Sequence, residues 1–187
     1  MVKEKRQQAK SRFAALAARN DWLVLDTETT GMERKDELVS IAVVSAAGET
    51  VLHELIRPTQ PISPQAARVH GITAEDVAAA SPFPELYPRL AELLTGRLVL
   101  AYNANFDRKM LQQTCQRYHL PLIKAEWECV MDLYAAAKGR WSNRYGFTWC
   151  KLAEACQREQ IEVVDFHEAC ADAQATQQLV MAVGHKK

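Results

Sequence analysis

The chain has 187 residues, enough for one domain of ordinary size with at most a short appendage and too few for two full domains. With 48% apolar and 25% charged residues and only seven each of Gly and Pro, it can bury a sizeable core, which excludes a disordered or fibrous protein. No apolar run approaches the roughly 18 residues of a membrane helix, and the 23 basic and 23 acidic residues cancel overall but not locally.

Residues 3–19 lack Pro and Gly and place Ala9, Phe13, Leu16 and Ala17 at spacings of three and four, which predicts one amphipathic helix. Residues 1–19 carry Lys3, Lys5, Arg6, Lys10, Arg12 and Arg19 against Glu4 alone, so the rest of the chain holds an excess of carboxylate. A metal-binding body with a polyanion-seeking arm has this pattern, and so does an ordinary solvated helix. The expected division is a basic N-terminal helical arm at 1–20 and a body at 21–187. The start of the chain, charged and without an apolar stretch behind it, disfavours a secreted or membrane protein. Five cysteines, an odd number with no C-x-x-C pair, point to reduced thiols in a cytoplasm rather than to a disulfide framework or a zinc site.

Trp22-Leu-Val-Leu25 reads as a short strand ending at Asp26, and Leu38–Ser45 and Glu49–Ile56 as a hairpin around Ala-Ala-Gly48. Ser63-Pro64 and Thr73 open short helices, and Pro84 starts a longer one to Leu94. Leu98–Ala101 is a second buried strand, followed by a helix from Asn105 to His119. Glu128–Met131 reads as a strand feeding a helix to Lys138, and Thr148–Gln157 and Glu168–Val183 as helices.

Three places carry chemistry. Asp26-Thr-Glu28 closes an apolar strand, where residues two apart point to the same side and can grip one cation, and Gly31 permits a sharp turn after it. Asp107, in Tyr102-Asn103-Ala-Asn105-Phe106-Asp107, falls in a first helical turn, where favourable interaction with the helix dipole is the alternative reading and either Asn is a candidate cap. His167-Glu-Ala-Cys-Ala-Asp172 lies near the start of the last helix, and its two functional side chains converge only if His167 precedes the helix proper. Strand ends and helix starts gather at one edge of an α/β fold. Four acids and one imidazole there suit two divalent cations clamping a phosphodiester, with Mg²⁺ or Mn²⁺ preferred over zinc by carboxylate oxygens.

In this order, and at family-like separations, Asp26-x-Glu28-Thr-Thr-Gly31, Asn103-x-x-Phe106-Asp107 and His167-x-x-x-x-Asp172 resemble the three motifs of the DEDDh (DnaQ-like) 3′→5′ exonuclease family. Residues 26–32 look like the first motif of the proofreading epsilon subunit of bacterial DNA polymerase III. Arg57-Pro58, Pro61–Pro64 and His70-Gly-Ile-Thr73 are similar to the linking segment of exonuclease X. The resemblance runs from about Trp22 to Val183. It implies an α/β, RNase H-like mixed sheet of about five strands flanked by helices, here with an extra N-terminal helix. It also implies that Asp26, Glu28, Asp107 and Asp172 hold two Mg²⁺ or Mn²⁺ ions and that His167 is the general base. Thr27 and Thr29 would position the 3′ terminus and Met32 would meet the terminal base, beside Asn103 and Phe106 of the second motif. Tyr102 departs from the family, where many relatives have histidine. His70 is not among the five catalytic positions and reads as structural, while Asp132, Asp165 and Glu168 read as solvated or helix-start acids.

The expected activity is hydrolysis of mainly single-stranded DNA from the 3′ end, with release of nucleoside 5′-monophosphates. RNA trimming, or a non-catalytic module that binds nucleic acid or a polymerase, is the alternative. Lys138-Gly-Arg140-Trp141-Ser-Asn-Arg144-Tyr145 alternates cations and aromatics, as single-strand grooves do, so Arg140 and Arg144 are expected to guide the strand unless Trp141 and Tyr145 merely cover a core edge.

Overall fold

The computed structural model describes residues 1–163 and 167–186. Its centre is a five-stranded sheet of order β3-β2-β1-β4-β5, formed by β1 (Trp22–Thr29), β2 (Leu38–Ser45), β3 (Thr50–Leu55), β4 (Leu98–Ala101) and β5 (Glu126–Cys129). β2 runs antiparallel to β1 and β3, whereas β1, β4 and β5 are parallel. This is the mixed sheet that the resemblance implies.

Side-chain alternation along β1 divides the core in two. Trp22 and Val24 face one side, with α1 (Val2–Ala17), α6 (Val130–Lys138), α7 (Leu152–Glu159) and α8 (Ala169–Gly184). Leu23 and Leu25 face the other, with α4 (Phe83–Leu94) and α5 (Ala104–Arg117). Two short helices, α2 (Pro64–His70) and α3 (Ala74–Val77), follow the hairpin and carry the expected caps. Ser63 accepts from the Ala66 N–H, and Thr73 forms a reciprocal box with Asp76. Among the described residues no helix is long and apolar enough to cross a membrane.

α1 buries Ala9, Phe13 and Leu16 against α6 and α8. The Trp22 indole N–H donates to the Leu16 carbonyl at 2.8 Å, and Arg12 holds Glu128 of β5 through three short contacts. α1 and α8 approach so closely that a Cβ on Gly184 would lie 2.5 Å from the Phe13 carbonyl oxygen.

Four expectations change. The strand expected at Glu128–Met131 is β5 at Glu126–Cys129, because its pairing with β4 starts at Glu126 and Val130 already begins α6. β1 extends past Asp26 to Thr29, because β2 pairs with it through Asp26↔Ala42 and Glu28↔Ser40 before the register shifts. Neither Asn103 nor Asn105 caps α5: Asn103 occupies the cap position without a side-chain bond, and Asn105 is exposed. The helix expected from Thr148 begins only at Leu152, because Thr148 closes a hairpin of β6 (Trp141–Ser142) and β7 (Gly146–Phe147). The Thr148 N–H donates to the Arg140 carbonyl at 2.9 Å, and its hydroxyl accepts from the Arg140 N–H at 3.1 Å. Gly139 at the hairpin stem has no room for a side chain, since a Cβ would sit 2.5 Å from both the Ala135 and the Thr148 carbonyl oxygens.

Candidate active site

The alternation that divides the core also builds the site. Asp26 and Glu28 share the parity of Trp22 and Val24 and point towards α8, whose first turn carries Asp172. One carboxylate oxygen from each of the three lies within 4.8 Å of the others. Thr27 has the opposite parity and points towards α5, where its hydroxyl donates to Asp107 Oδ1 at 2.8 Å. The end of β1 therefore gathers acids from helices on both faces of the sheet. Asp107 does not enter the three-carboxylate cluster, but it is the largest charged influence on Asp26.

The electrostatics are those of a cation site. The surrounding protein raises Asp26 well above the carboxylate range, and the charges of Asp107, Asp172 and Glu28 raise it further. Burial, followed by Asp172 and Asp107, pushes Glu28 up to about 8. Burial also raises Asp107 against the lowering effect of the Thr27 hydroxyl, and raises Asp172 against the His167 backbone N–H. Asp172 Oδ1 is fully buried and has no hydrogen-bond partner among the described residues. A buried carboxylate oxygen without a donor, crowded by like charges, is what a divalent cation ligated by oxygen would satisfy. The donor set fits such an ion.

His167 precedes α8, as the spacing requires. It is exposed, its backbone is left-handed at φ 69°, and its N–H donates to Asp172 Oδ2 at 3.2 Å. Glu168 caps α8 by accepting from the Cys170 and Ala171 N–H groups, and its carboxylate faces His53 Nε2 on β3 at 2.8 Å. Asp132 is exposed in the first turn of α6, and Asp165 lies outside the described residues.

Beside Glu28 opens a recess of about 810 Å³, with Met32, Ile62, Pro64, Val69 and Phe106 among its lining. Met32 stands on the rim, 73% exposed. Thr29 is buried, and its hydroxyl donates to the Gly31 carbonyl at 2.8 Å. His70 bridges the wall: its Nδ1 accepts from the Ile72 N–H at 3.0 Å, which leaves Nε2 to donate to the Thr29 carbonyl at 3.1 Å. Burial lowers its pKa and keeps it neutral in that role.

Two acids that the sequence reading passed over hold this wall. The buried Asp36 accepts from the Thr30 hydroxyl at 2.9 Å and the Glu33 N–H at 2.7 Å, and it packs so tightly on Gly31 that a Cβ there would meet it at 2.5 Å. Glu37, only 1% exposed, accepts from the Thr59 N–H and hydroxyl, the Gln60 N–H and the Tyr118 hydroxyl, each at 2.7 Å. The available signal was two adjacent acids opening a mostly apolar strand, where an unpaired charge is too costly to bury.

Arg140 and Arg144 lie far along the chain from this recess, on the β6–β7 hairpin, and both are exposed. Asn103 is exposed at the start of α5. Tyr102 is buried and donates its hydroxyl to the Cys150 carbonyl at 2.8 Å, and burial raises its pKa.

Comparison with known proteins gives the family and the fold. The family model described as RNase_T, exonuclease, matches residues 23–180. An uncharacterized exonuclease, CP81, of Escherichia phage 186 is 32% identical over 171 residues, covering 88% of each chain. The PolC-type DNA polymerase III of Thermotoga maritima is 28% identical over 165 residues, which are 86% of this chain and only 12% of the polymerase. The structure of exonuclease X in complex with 5′ overhanging duplex DNA superposes with a TM-score of 0.67 at 27% identity, covering 87% of this chain and 90% of that one.

Proposed function

The chain belongs to the RNase T, or DEDDh, family of 3′→5′ exonucleases, and from that membership we propose that it removes nucleoside 5′-monophosphates from the 3′ end of mainly single-stranded DNA. The observation that carries the reading is the cluster of Asp26, Glu28 and Asp172, with a buried oxygen that has no donor among the described residues, next to a recess with room for a nucleotide.

Asp26, Glu28, Asp107 and Asp172 would hold two Mg²⁺ or Mn²⁺ ions. When bound, such ions polarise the scissile phosphate and acidify the attacking water. The protein supplies the remainder. Thr27 keeps Asp107 aimed at the strand end, and the His167 N–H keeps Asp172 turned into the cluster. The His167 imidazole, on the exposed segment before α8, accepts the proton of the attacking water. The recess seats the terminal nucleotide, with Met32 and Phe106 against the base and Thr29 and Asn103 beside the sugar and phosphate. Arg140 and Arg144 steer the strand that leads in. The preference for DNA is supported by PolC being a DNA polymerase and by exonuclease X having been solved on DNA. The PolC likeness also leaves room for a polymerase partner. A nuclease built for reduced thiols and free nucleic acid ends works in the cytoplasm.

A 5′-labelled single-stranded DNA oligonucleotide and its RNA counterpart, each incubated with Mg²⁺, Mn²⁺ or EDTA, test this reading. The expected result is a metal-dependent ladder shortening from the 3′ end, faster on DNA, and lost in Asp172→Ala. Full shortening in EDTA or by Asp172→Ala would overturn the mechanism, and a faster RNA ladder would overturn the substrate.

A further inference from the structure

Residues 138–151 contain Lys138, Arg140, Arg144 and Lys151 and no acid, and four of their residues are aromatic. The structure sorts the aromatics into two classes. Trp141 and Phe147 pair across the β6–β7 hairpin with ring centroids 4.9 Å apart, edge to face. Arg6 of α1 lies over Phe147 at 5.5 Å and donates to the Ala137 and Gly139 carbonyls at 2.9 and 3.0 Å. These two rings serve as structure. Tyr145 and Trp149 stand outside, 75% and 63% exposed, although large aromatic rings ordinarily bury their surface. Arg144 stacks over Tyr145 at 5.1 Å. Lys138 faces Glu159 at 3.5 Å, while Arg140, Arg144 and Lys151 enter no ion pair among the described residues.

The hairpin is also fixed relative to the strand ends that form the site. The Tyr102 hydroxyl holds the Cys150 carbonyl, and Tyr102 lies next to Asn103, the cap position of α5. The surface is thus held at its base, basic, and carries exposed rings at its tip, Tyr145, and just past its stem, Trp149. A protein partner with an apolar patch would not need three unpaired cations, whereas a polyanion with exposed planar bases needs both features.

We propose that this hairpin is a second nucleic-acid site, which takes the unpaired nucleotides upstream of the 3′ terminus, with bases stacking on Tyr145 and Trp149. It rests on the exonuclease reading for the direction of the strand but not for its own existence. Base pairing hides base faces inside a stack, so the surface selects single-stranded tails of several nucleotides. Arg6 is a positioning residue, bracing the hairpin from α1.

The test uses the full chain, a 20-nucleotide oligo(dT) and a thymidine dinucleotide. Affinity for the 20-mer is measured by anisotropy in EDTA, and KM for both substrates in Mg²⁺. Replacing both rings, Tyr145→Ala with Trp149→Ala, is expected to weaken 20-mer binding roughly tenfold or more. The same change should raise KM for the 20-mer relative to the dinucleotide by a similar factor. Tyr145→Phe with Trp149→Phe, which keeps the π faces, should restore most of the loss. Replacing Arg140 and Arg144 by Ala should flatten the dependence of log Kd on log salt by about 1.4, at about 0.7 per single-strand phosphate. Affinity and KM ratio within twofold of the parent in the double alanine variant would overturn the proposal while leaving the exonuclease reading intact. If the parent hydrolyses neither substrate but the alanine pair still weakens binding, the exonuclease reading fails and the second site stands.

Discussion

Thr27 and Asp172 show how single residues set the chemistry. Without Thr27, Asp107 would be a buried carboxylate lacking its hydroxyl donor, and without Asp172 the cluster would lose the oxygen that none of the described residues satisfies. The crowding has a thermodynamic sign. A carboxyl group raised from its ordinary value near 4.3 to about 8, as Glu28 is, stays protonated in the folded metal-free protein where the unfolded chain has released its proton. Its contribution to stability is complete below the unfolded value and is lost as pH rises through about 8. Metal-free protein is therefore expected to melt at a lower temperature at pH 8 than at pH 5, and the stabilisation by added Mn²⁺ should grow over the same window. Glu28→Gln should flatten that slope and raise the metal-free melting temperature at pH 8, while cutting turnover by orders of magnitude. A metal-free slope equal to that of the parent would show that repulsion at Glu28 is not what the fold bears.

Among elements, the segment between β1 and β2 is held by groups from three directions. Asp36 ties its own turn, Gln113 of α5 donates to the Glu33 and Asp36 carbonyls, and Glu37 gathers the 57–60 segment and Tyr118. Arg117 Nε, 3.4 Å from Glu37 Oε1, supplies the compensating charge. A loop so fully bonded is pre-organised, so Met32 and the recess need not be ordered by substrate. Glu37→Ala strands several buried donors and one cation and is expected to cost about 3–5 kcal/mol in denaturant unfolding. It should also raise KM more than it lowers kcat, because the recess wall moves while the carboxylates at the strand end stay. A stable variant with unchanged KM would remove Glu37 from that role.

At the scale of the molecule, α1 is part of the packing. Phe13 and Leu16 are fully buried, Gly184 lets α8 approach the Phe13 carbonyl, and Arg6 reaches the hairpin stem. Phe13→Ala should therefore destabilise the whole chain by roughly 3–5 kcal/mol, with the unfolding transition still a single step when followed by fluorescence and by circular dichroism. Loss of α1 alone, with the body melting at its original temperature, would contradict this account.

Much of this was legible in the residues themselves. Strands and helices announce themselves by runs of β-favouring residues and by caps, as at Leu38–Ser45 and at Ser63 and Thr73, because those signals are carried by contiguous residues and local geometry. The same locality made Asp26 and Glu28 a pair, and it placed His167 ahead of the helix that carries Asp172. Tertiary structure decided the rest. The bond from Thr27 to Asp107 spans 80 positions, that from Tyr102 to Cys150 spans 48, and the reach of Arg6 to Gly139 spans 133. Contacts at such separations follow from which faces the core brings together, and that is a property of the whole packed chain rather than of any stretch of it.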